Sequence, residues 1–222
     1  MEKTIELVNL WGAFATQHPD ASIEDFCRHL LIHRRENENK GPLLGGVVPM
    51  HTDGLLMKLI GRIHKLHVFY ASAAFVGTPL GQLEEFGLLA TIQQRGNPKK
   101  SELIYSNLLE LSSGTDMVNR LKYKGLIKEF DDKDDKRSKR MSLTPLGEKT
   151  MSTCIHRVLK LARMMLYEMT EDDKQLCIQL LKHVEIKFAG LIQKHKGETF
   201  EDIYKELVAE PDQKTEKKRK NS

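Results

Sequence analysis

The sequence predicts a mostly α-helical protein that contains one short two-stranded β-hairpin. Apolar residues recur at three- and four-residue steps through most of the 222 residues, which is the periodicity of amphipathic helices. Two short stretches, 126–130 and 140–144, instead alternate apolar and polar residues, as strands do. The run 131–139 between them contains no apolar side chain. This arrangement indicates a hairpin with a long charged tip.

Capping and breaking residues divide the helical part of the chain. Residues with side-chain hydroxyls are typical of helix starts, because they can accept hydrogen bonds from free N–H groups. They occur at Ser22, in the cluster from Ser112 to Thr115, at Thr144-Pro145 and at Thr170. The predicted helices cover residues 3–16, 22–35, 53–75, 83–95, 101–109, 112–124, 145–169, 171–195 and 200–208. A Gly- and Pro-rich linker is expected at 37–50, and the polar tail 211–222 is expected to be disordered.

The composition excludes several classes of protein. No apolar run reaches the length of a membrane span, and the N-terminus does not have the pattern of a secretory signal. Cys27, Cys154 and Cys177 are widely spaced and form no Cys-x-x-Cys pair, which excludes a disulfide framework or zinc ribbon and favours the cytoplasm. Cys154 and Cys177 lie on the apolar sides of their predicted helices, so we expect both in the core. The net charge of +4 is too small for a histone-like protein, but it allows a local basic face.

A short helix, a second helix ending at Gly125, and a charged hairpin follow one another in the order of a winged helix-turn-helix. The second helix of such a unit can enter a major groove of double-stranded DNA, and the basic hairpin tip can contact phosphates or the minor groove. The predicted DNA-binding residues are Ser112, Ser113, Thr115, Asp116, Asn119, Arg120, Lys136, Arg137, Lys139 and Arg140.

Residues 85–151 contain two distinctive motifs. The first is Val118-Asn119-Arg120-Leu121-Lys122-Tyr123-Lys124-Gly125-Leu126-Ile127, and the second is Asp135-Lys136-Arg137 followed by Leu143-Thr144-Pro145-Leu146-Gly147. With these motifs, the segment resembles the MarR family of bacterial transcription regulators. The resemblance implies a homodimer that binds a pseudo-palindromic operator, usually as a repressor. It further implies that a small-molecule effector releases the protein from the operator. It also implies that Asp135 structures the wing. The sequence departs from the family at Asn119, where an Asp is usual, and at Asp116, where many members have a donor.

The resemblance suggests a division of the chain into five parts. These are an N-terminal helical extension with linker (1–50), a dimerisation helix (51–82), the DNA-binding lobe (83–148), C-terminal dimerisation helices (149–197), and a short helix with a basic tail (198–222). The extension would use Trp11, Phe14, Phe26, Leu30 and Leu31 as apolar anchors on the dimer body. His64 and Tyr70 are candidates for lining an effector site.

Four other interpretations are an enzyme, a metal-binding protein, a protein-interaction scaffold and a redox sensor. The chain contains no phosphate-binding glycine loop and no hydrolase or metalloprotease motif, so neither an enzyme nor a cofactor is predicted. His64 and His67 have a metal-compatible spacing, but no acidic or cysteine partner stands at a matching step, so no metal site is predicted. A protein-interaction scaffold without DNA binding and a redox sensor based on Cys27 remain alternatives.

Overall fold

The computed structural model describes residues 2–38, 46 and 49–208, and its fold is mostly helical with one two-stranded antiparallel sheet, as the sequence predicts. Most of the predicted linker and all of the predicted disordered tail lie outside the described residues. The elements are α1 (Glu2–Gln17), α2 (Ile23–Glu38), α3 (Thr52–Phe75), α4 (Leu83–Arg95), α5 (Lys100–Ser106), α6 (Leu111–Tyr123), β1 (Ile127–Asp131), β2 (Lys139–Leu143), α7 (Pro145–Met165), α8 (Glu171–Leu191) and α9 (Phe200–Val208). The chain forms two compact units, residues 1–59 and 60–222.

In the first unit, α1 and α2 meet through aromatic rings. Trp11 contacts Phe26 edge-to-face at 5.2 Å between ring centroids, and Phe14 lies 5.4 Å from Phe26. Phe14 and Phe26 are buried, so these two predicted anchors are core residues of their own unit. Ser22 begins α2 as predicted, because its hydroxyl accepts from the N–H of Asp25 at 3.1 Å while Asp25 accepts from the N–H of Ser22 at 3.0 Å.

The second unit has one continuous apolar core. Its fully buried side chains come from α3 to α7 and from both strands, so the sheet and the helices share this core. The largest of them are Phe75, Leu88, Leu89, Leu103, Ile104, Leu121, Leu126, Met141 and Met151. Cys154 belongs to the same core, as predicted, and burial is the main cause that raises the pKa of its thiol.

The junction between β2 and α7 is tightly packed against the chain that enters β1. The Thr144 hydroxyl donates to the carbonyl of Gly125 at 2.6 Å and accepts from the N–H of Gly147 at 3.1 Å, which confirms the predicted start of α7. A Cβ atom on Gly147 would lie 2.0 Å from the carbonyl oxygen of Leu126. Only glycine therefore fits this contact between helix and strand.

Three predicted helices end three or more residues earlier in the structure than the sequence pattern suggests. α5 ends at Ser106 rather than Leu109, α7 at Met165 rather than Met169, and α8 at Leu191 rather than His195. After α7, the Met169 N–H donates to the Leu166 carbonyl at 3.1 Å and closes a turn. Apolar residues continue beyond the end of each helix, so their periodicity alone could not place the ends.

Large apolar side chains remain exposed on the long helices of the second unit. Within the described chain, α8 buries none of its side chains, so the prediction that Cys177 is a core residue is wrong. Ile63, Leu66 and Phe69 on α3 are likewise exposed. None of the helices in the described ranges combines the length and apolar character that a membrane span requires.

Candidate nucleic-acid interface

α5 and α6 form a helix-turn-helix in which the two helices approach closely. A Cβ atom on Gly114 of α6 would lie 2.5 Å from Cγ2 of Ile104 on α5, so glycine permits this approach. The connecting turn reverses at Leu108, which takes the left-handed value φ +54°. Asn107 fixes the turn by donating from Nδ2 to the carbonyl of Leu103 at 2.8 Å. The orientation of α6 is thus set by packing and by a tied turn.

α6 begins earlier than predicted, and serine does not cap it. Glu110 is the residue before the helix, and its carbonyl accepts from the N–H of Gly114 at 2.8 Å. Ser112 and Ser113 lie inside the first turn and are exposed, so the predicted serine cap is wrong. The reversal at Leu108 starts the helix early enough to carry both serines into it. Their hydroxyls face outward at the N-terminal end of α6.

One side of α6 presents polar groups to solvent. Ser112, Asp116, Asn119 and Tyr123 fall within a sector of about 60° when successive residues are separated by roughly 100°. All four are exposed, and Tyr123 is 95% exposed. The sequence prediction did not include Tyr123, although its spacing of four residues from Asn119 was available as a signal.

The hairpin formed by β1 and β2 is the predicted wing. Its register pairs Ile127 with Leu143 at the root and Asp131 with Lys139 at the outer end. The carbonyl of Pro98 accepts from the N–H of Met141 at 3.0 Å, so the segment before α5 adds a short third edge to the sheet. The segment before α5 therefore holds the wing at the middle of β2.

Asp132 organises the charged tip from the inside. Its side chain is 1% exposed, its Oδ1 accepts from the N–H groups of Asp134 and Asp135, each at 2.9 Å, and its Oδ2 pairs with the Arg140 guanidinium. Burial by itself raises the pKa of Asp132, but these three donors outweigh it and hold the pKa below its ordinary value. The sequence analysis missed this residue, because a charged run does not reveal which carboxylate folds inward.

Asp135, the predicted wing-structuring residue, lies in the outer turn of the tip. Its carboxylate accepts from the Ser138 hydroxyl at 2.6 Å and from the Arg137 N–H at 3.1 Å. These two bonds are the leading causes that lower its pKa. The exposed side chains of Lys136 and Arg137 follow directly after it. Their backbone position is thereby fixed while their charges remain open to solvent.

Two predicted DNA contacts have protein partners at the strand ends. Arg140 pairs with Asp132 and donates from Nη1 to the carbonyl of Asn97 at 2.8 Å. Lys139 pairs with Asp131, and this bond is the main cause that raises the pKa of the lysine. The two ion pairs join residues of the hairpin, and the bond from Arg140 to Asn97 ties the hairpin to the segment before α5.

A basic groove lies between the wing, the start of α5 and the start of α6. Its volume is about 290 Å³. The residues that line it are Lys99, Lys100, Ser101, Leu111, Thr115, Arg137, Ser138 and Lys139. Four of these are cations, and they come from the wing and from the segment that opens α5. Lys99 and Lys100 were not among the predicted site residues, because only the fold places them beside Arg137.

A buried carboxylate anchors the C-terminal half of α6. Glu85 of α4 is 1% exposed and accepts from Lys124 Nζ at 2.9 Å, from the N–H of Gly81 at 2.9 Å and from Arg120 Nε at 3.4 Å. Arg120 also donates to the side chain of Gln82 at 3.2 Å. Burial alone raises the pKa of Glu85, but its hydrogen bonds and its cationic partners lower it overall. Arg120, a predicted DNA contact, thus has a partner within the protein.

Of the two predicted effector-site residues, Tyr70 lines a cavity between α3 and α7 and His64 does not. Tyr70 borders this cavity of about 370 Å³ together with Ala73, Ala74, Arg157, Lys160, Leu161 and Met164. His64 is exposed and lies outside the described lining of this cavity. Arg157 holds the cavity wall by donating to the carbonyls of Ala74 at 2.9 Å and Val76 at 2.7 Å.

Comparisons with sequences and with structures give different results. No protein-family model and no curated protein sequence matches the chain. Among solved structures, a mutant MarR from E. coli complexed with operator DNA matches at 23% identity and a TM-score of 0.55. This match covers 58% of the present chain and 92% of the other.

Two further structures match to a similar extent. The PcaV transcriptional regulator from Streptomyces coelicolor, in complex with its natural ligand, is 17% identical with a TM-score of 0.54, over 64% of the present chain and 96% of the other. A SlyA-like transcription regulator from Listeria monocytogenes is 18% identical with a TM-score of 0.57, over 62% and 93% of the two chains. The chain therefore has the winged-helix fold of the MarR-family transcription regulators.

Proposed function

We propose that this chain is a DNA-binding transcription regulator that acts on a pseudo-palindromic operator as a homodimer. One observation carries the proposal: the exposed polar side of α6 stands beside a groove that four cations line. The first surface offers donors and acceptors for base edges, and the second offers positive charge for phosphates. The fold shared with an operator-bound regulator supports the same assignment.

In this proposal, α6 enters the major groove with its N-terminal turn. The Ser112 and Ser113 hydroxyls contact base edges, and Asp116 accepts from a cytosine amino group. Asn119 lies further along the same side, and the exposed Tyr123 phenol reaches a phosphate at the edge of the groove. Base preference follows from these side chains and is specific to this chain.

The wing contacts the neighbouring backbone and minor groove. Lys99, Lys100 and Lys136 neutralise phosphates, and Arg137 inserts into the minor groove, where a narrow groove concentrates negative potential. Because Asp132 and Asp135 already fix the tip, little ordering is needed on binding. Arg120 and Arg140 have carboxylate partners, so we assign them mainly to positioning α6 and the wing.

Dimerisation would cover the apolar side chains that one protomer leaves exposed. One side of α8, within about 100° around the helix axis, carries exposed apolar side chains, namely Leu180, Leu181, Val184 and Phe188. Soluble monomers rarely expose a contiguous apolar patch larger than a few hundred Å². A two-fold pairing through α3, α7 and α8 would bury these faces and would place two α6 helices about one turn of DNA apart.

The proposed regulation is repression by occlusion of a promoter, relieved by a small-molecule effector. The cavity beside Tyr70 and Arg157 is the best candidate for the effector site. Its apolar wall would contact an apolar or aromatic ligand, and Arg157 would favour a ligand with an acidic group. PcaV, a structure of the same fold, binds its natural ligand, which supports a ligand-responsive mode.

Selection of DNA from a random pool by the purified protein tests the proposal. An inverted repeat with half-sites about one helical turn apart is the expected result. The affinity for the selected site should fall linearly with salt on a double-logarithmic plot, with a slope of several units. Enrichment of no sequence at low salt would instead favour a protein-interaction scaffold.

A pair of charge-matched variants tests the role of the wing. Arg137→Ala should weaken binding to the selected site by about 1–3 kcal/mol, because a minor-groove arginine is lost. Lys205→Ala removes the same charge from the exposed surface of α9, outside the basic groove and the proposed dimer helices, and should leave affinity unchanged. Equal affinities of the two variants at fixed salt, both with native circular dichroism, would remove Arg137 from the interface.

A further inference from the structure

The C-terminal end of the second unit contains a group of possible metal ligands that the proposed function does not use. His195, Glu198 and Glu206 place one ligand atom each within 4.8 Å of one another. His195 and Glu198 follow α8, and Glu206 lies on α9. We propose that these three residues bind a divalent transition-metal ion of the zinc type.

The backbone brings His195 and Glu198 together independently of any ion. The N–H of Glu198 donates to the carbonyl of His195 at 3.1 Å and closes a tight turn. Gly197 takes φ +89° within this turn, a conformation that favours glycine. The Thr199 hydroxyl then accepts from the N–H of Asp202 at 3.3 Å and starts α9, so Glu206 falls on the helix that faces the turn.

The His195 side chain has a buried nitrogen that makes no hydrogen bond. The side chain is only 10% exposed, and its Nε2 atom is buried and makes no hydrogen bond, since its contact with Glu206 Oε1 is 3.6 Å long. A buried polar nitrogen without a hydrogen bond costs free energy, which a bound ion would recover. Imidazole nitrogen atoms are common ligands of metal ions. This feature separates the group from an ordinary cluster of surface acids.

The spacing of the donor atoms suits a small ion. Zinc–nitrogen and zinc–oxygen bonds of about 2.0–2.2 Å at tetrahedral angles place neighbouring ligand atoms roughly 3.3–3.6 Å apart. His195 Nε2 and Glu206 Oε1 already lie 3.6 Å apart. Glu198 is exposed, so rotation of its side chain can complete the set. Imidazole with carboxylates favours Zn²⁺, Co²⁺ or Ni²⁺ over Mg²⁺, and a fourth position remains for water.

One cation competes for this site. Lys194 forms an ion pair with Glu206, so its ammonium occupies a carboxylate oxygen that the metal ion would need. The Lys194 side chain is 55% exposed, so it can move into solvent when an ion arrives. Lys196 points instead to Glu110, at 3.5 Å. Metal binding therefore replaces one ion pair of the ligand Glu206 and leaves the Lys196 pair in place.

Titration of the full chain, free of any affinity tag, with Co²⁺ at pH 7.5 tests the proposal through the visible absorption of the bound ion. One Co²⁺ per protomer is expected, displaced by Zn²⁺ and unaffected by millimolar Mg²⁺. His195→Ala and Glu206→Gln should each lower the affinity at least tenfold. His183→Ala, a histidine on the exposed side of α8, should bind as the wild type does. Circular dichroism without metal verifies that each variant is folded.

Lys194→Ala separates a metal site from a simple ion pair. Because the ammonium competes with the ion for Glu206, its removal should strengthen Co²⁺ binding severalfold. Absence of a Co²⁺ spectrum, equal affinity of His195→Ala and wild type, or weaker binding by Lys194→Ala would each overturn the proposal. These measurements need no DNA, so their outcome is separate from that of the proposed function.

Discussion

Replacement of Glu85 tests whether a buried carboxylate holds α6 in place. Glu85→Gln keeps the shape of the side chain and an acceptor for the Gly81 N–H, but it removes the charge that faces Lys124 and Arg120. Because these two cations come from the end of α6, the variant should loosen the contact between α6 and α4. Glu84→Gln is the matched control, since Glu84 also lies in the first turn of α4.

The magnitude follows from the bonds at this carboxylate. A hydrogen bond to a charged group contributes about 1.5–3 kcal/mol to stability. The Glu85 side chain is 2% exposed, but those of Lys124 and Arg120 are 29% and 46% exposed and regain part of their hydration in the variant. We therefore expect Glu85→Gln to lower the free energy of unfolding by about 2 kcal/mol, or the Tm by about 4–8 °C.

The pH dependence gives the decisive comparison. Since the pKa of Glu85 in the folded protein lies below its ordinary value of 4.5, its stabilisation is complete above that value and is lost as the pH falls through the folded pKa. Urea unfolding at fixed protein concentration should show a constant difference between wild type and Glu85→Gln at pH 6–8, and a smaller one below pH 4.5. A loss no larger than that of Glu84→Gln, or a difference independent of pH, would refute the reasoning.

Three further predictions concern packing, the wing and assembly. Gly147→Ala should destabilise the protein by about 1–3 kcal/mol or more, because its Cβ meets a backbone oxygen. Gly190→Ala is the control, and its Tm in thermal melts should equal that of the wild type, because nothing lies within 4 Å of its Cβ position. Asp132→Ala removes the acceptor of three hydrogen bonds that order the tip. It should weaken DNA binding severalfold in anisotropy titrations carried out well below the Tm of the variant, and wild-type affinity would show that tip order is irrelevant. Light scattering without DNA should give about twice 25.5 kDa at micromolar concentration; a monomer would contradict the proposed two-fold operator geometry.

The sequence predicted the architecture well because local signals and burial agree along most of the chain. Thr144-Pro145 and Thr170 begin their helices as capping chemistry requires, and the two strands lie within one residue of their predicted limits. The turn before α6 was misplaced, since it depends on a left-handed Leu108, a conformation that leucine rarely adopts. No pattern in a single sequence marks such a residue.

The candidate site was only partly predictable. The basic character of the tip follows from composition, but the inward position of Asp132 depends on Arg140 and on the path of the backbone between them. Likewise, Lys99 and Lys100 are separated from Arg137 by almost forty positions, and only the pairing of the Pro98 segment with β2 brings them together. Long-range contacts of this kind leave no periodic trace in the sequence.

Because Gly147 packs against Leu126, a tilt of α7 would be transmitted directly to the wing. This helix has 21 residues, is fixed to the wing root at its first turn, and is tied through Arg157 to the end of α3 further along. A rigid helix of this length spans about 30 Å, so a tilt of about 5° would carry one end through roughly 2.6 Å relative to the other. That displacement approaches a hydrogen-bond length. In the proposed dimer, a small change in the contact between two copies of α7 would therefore be enough to shift both wings relative to the phosphates that we propose they bind.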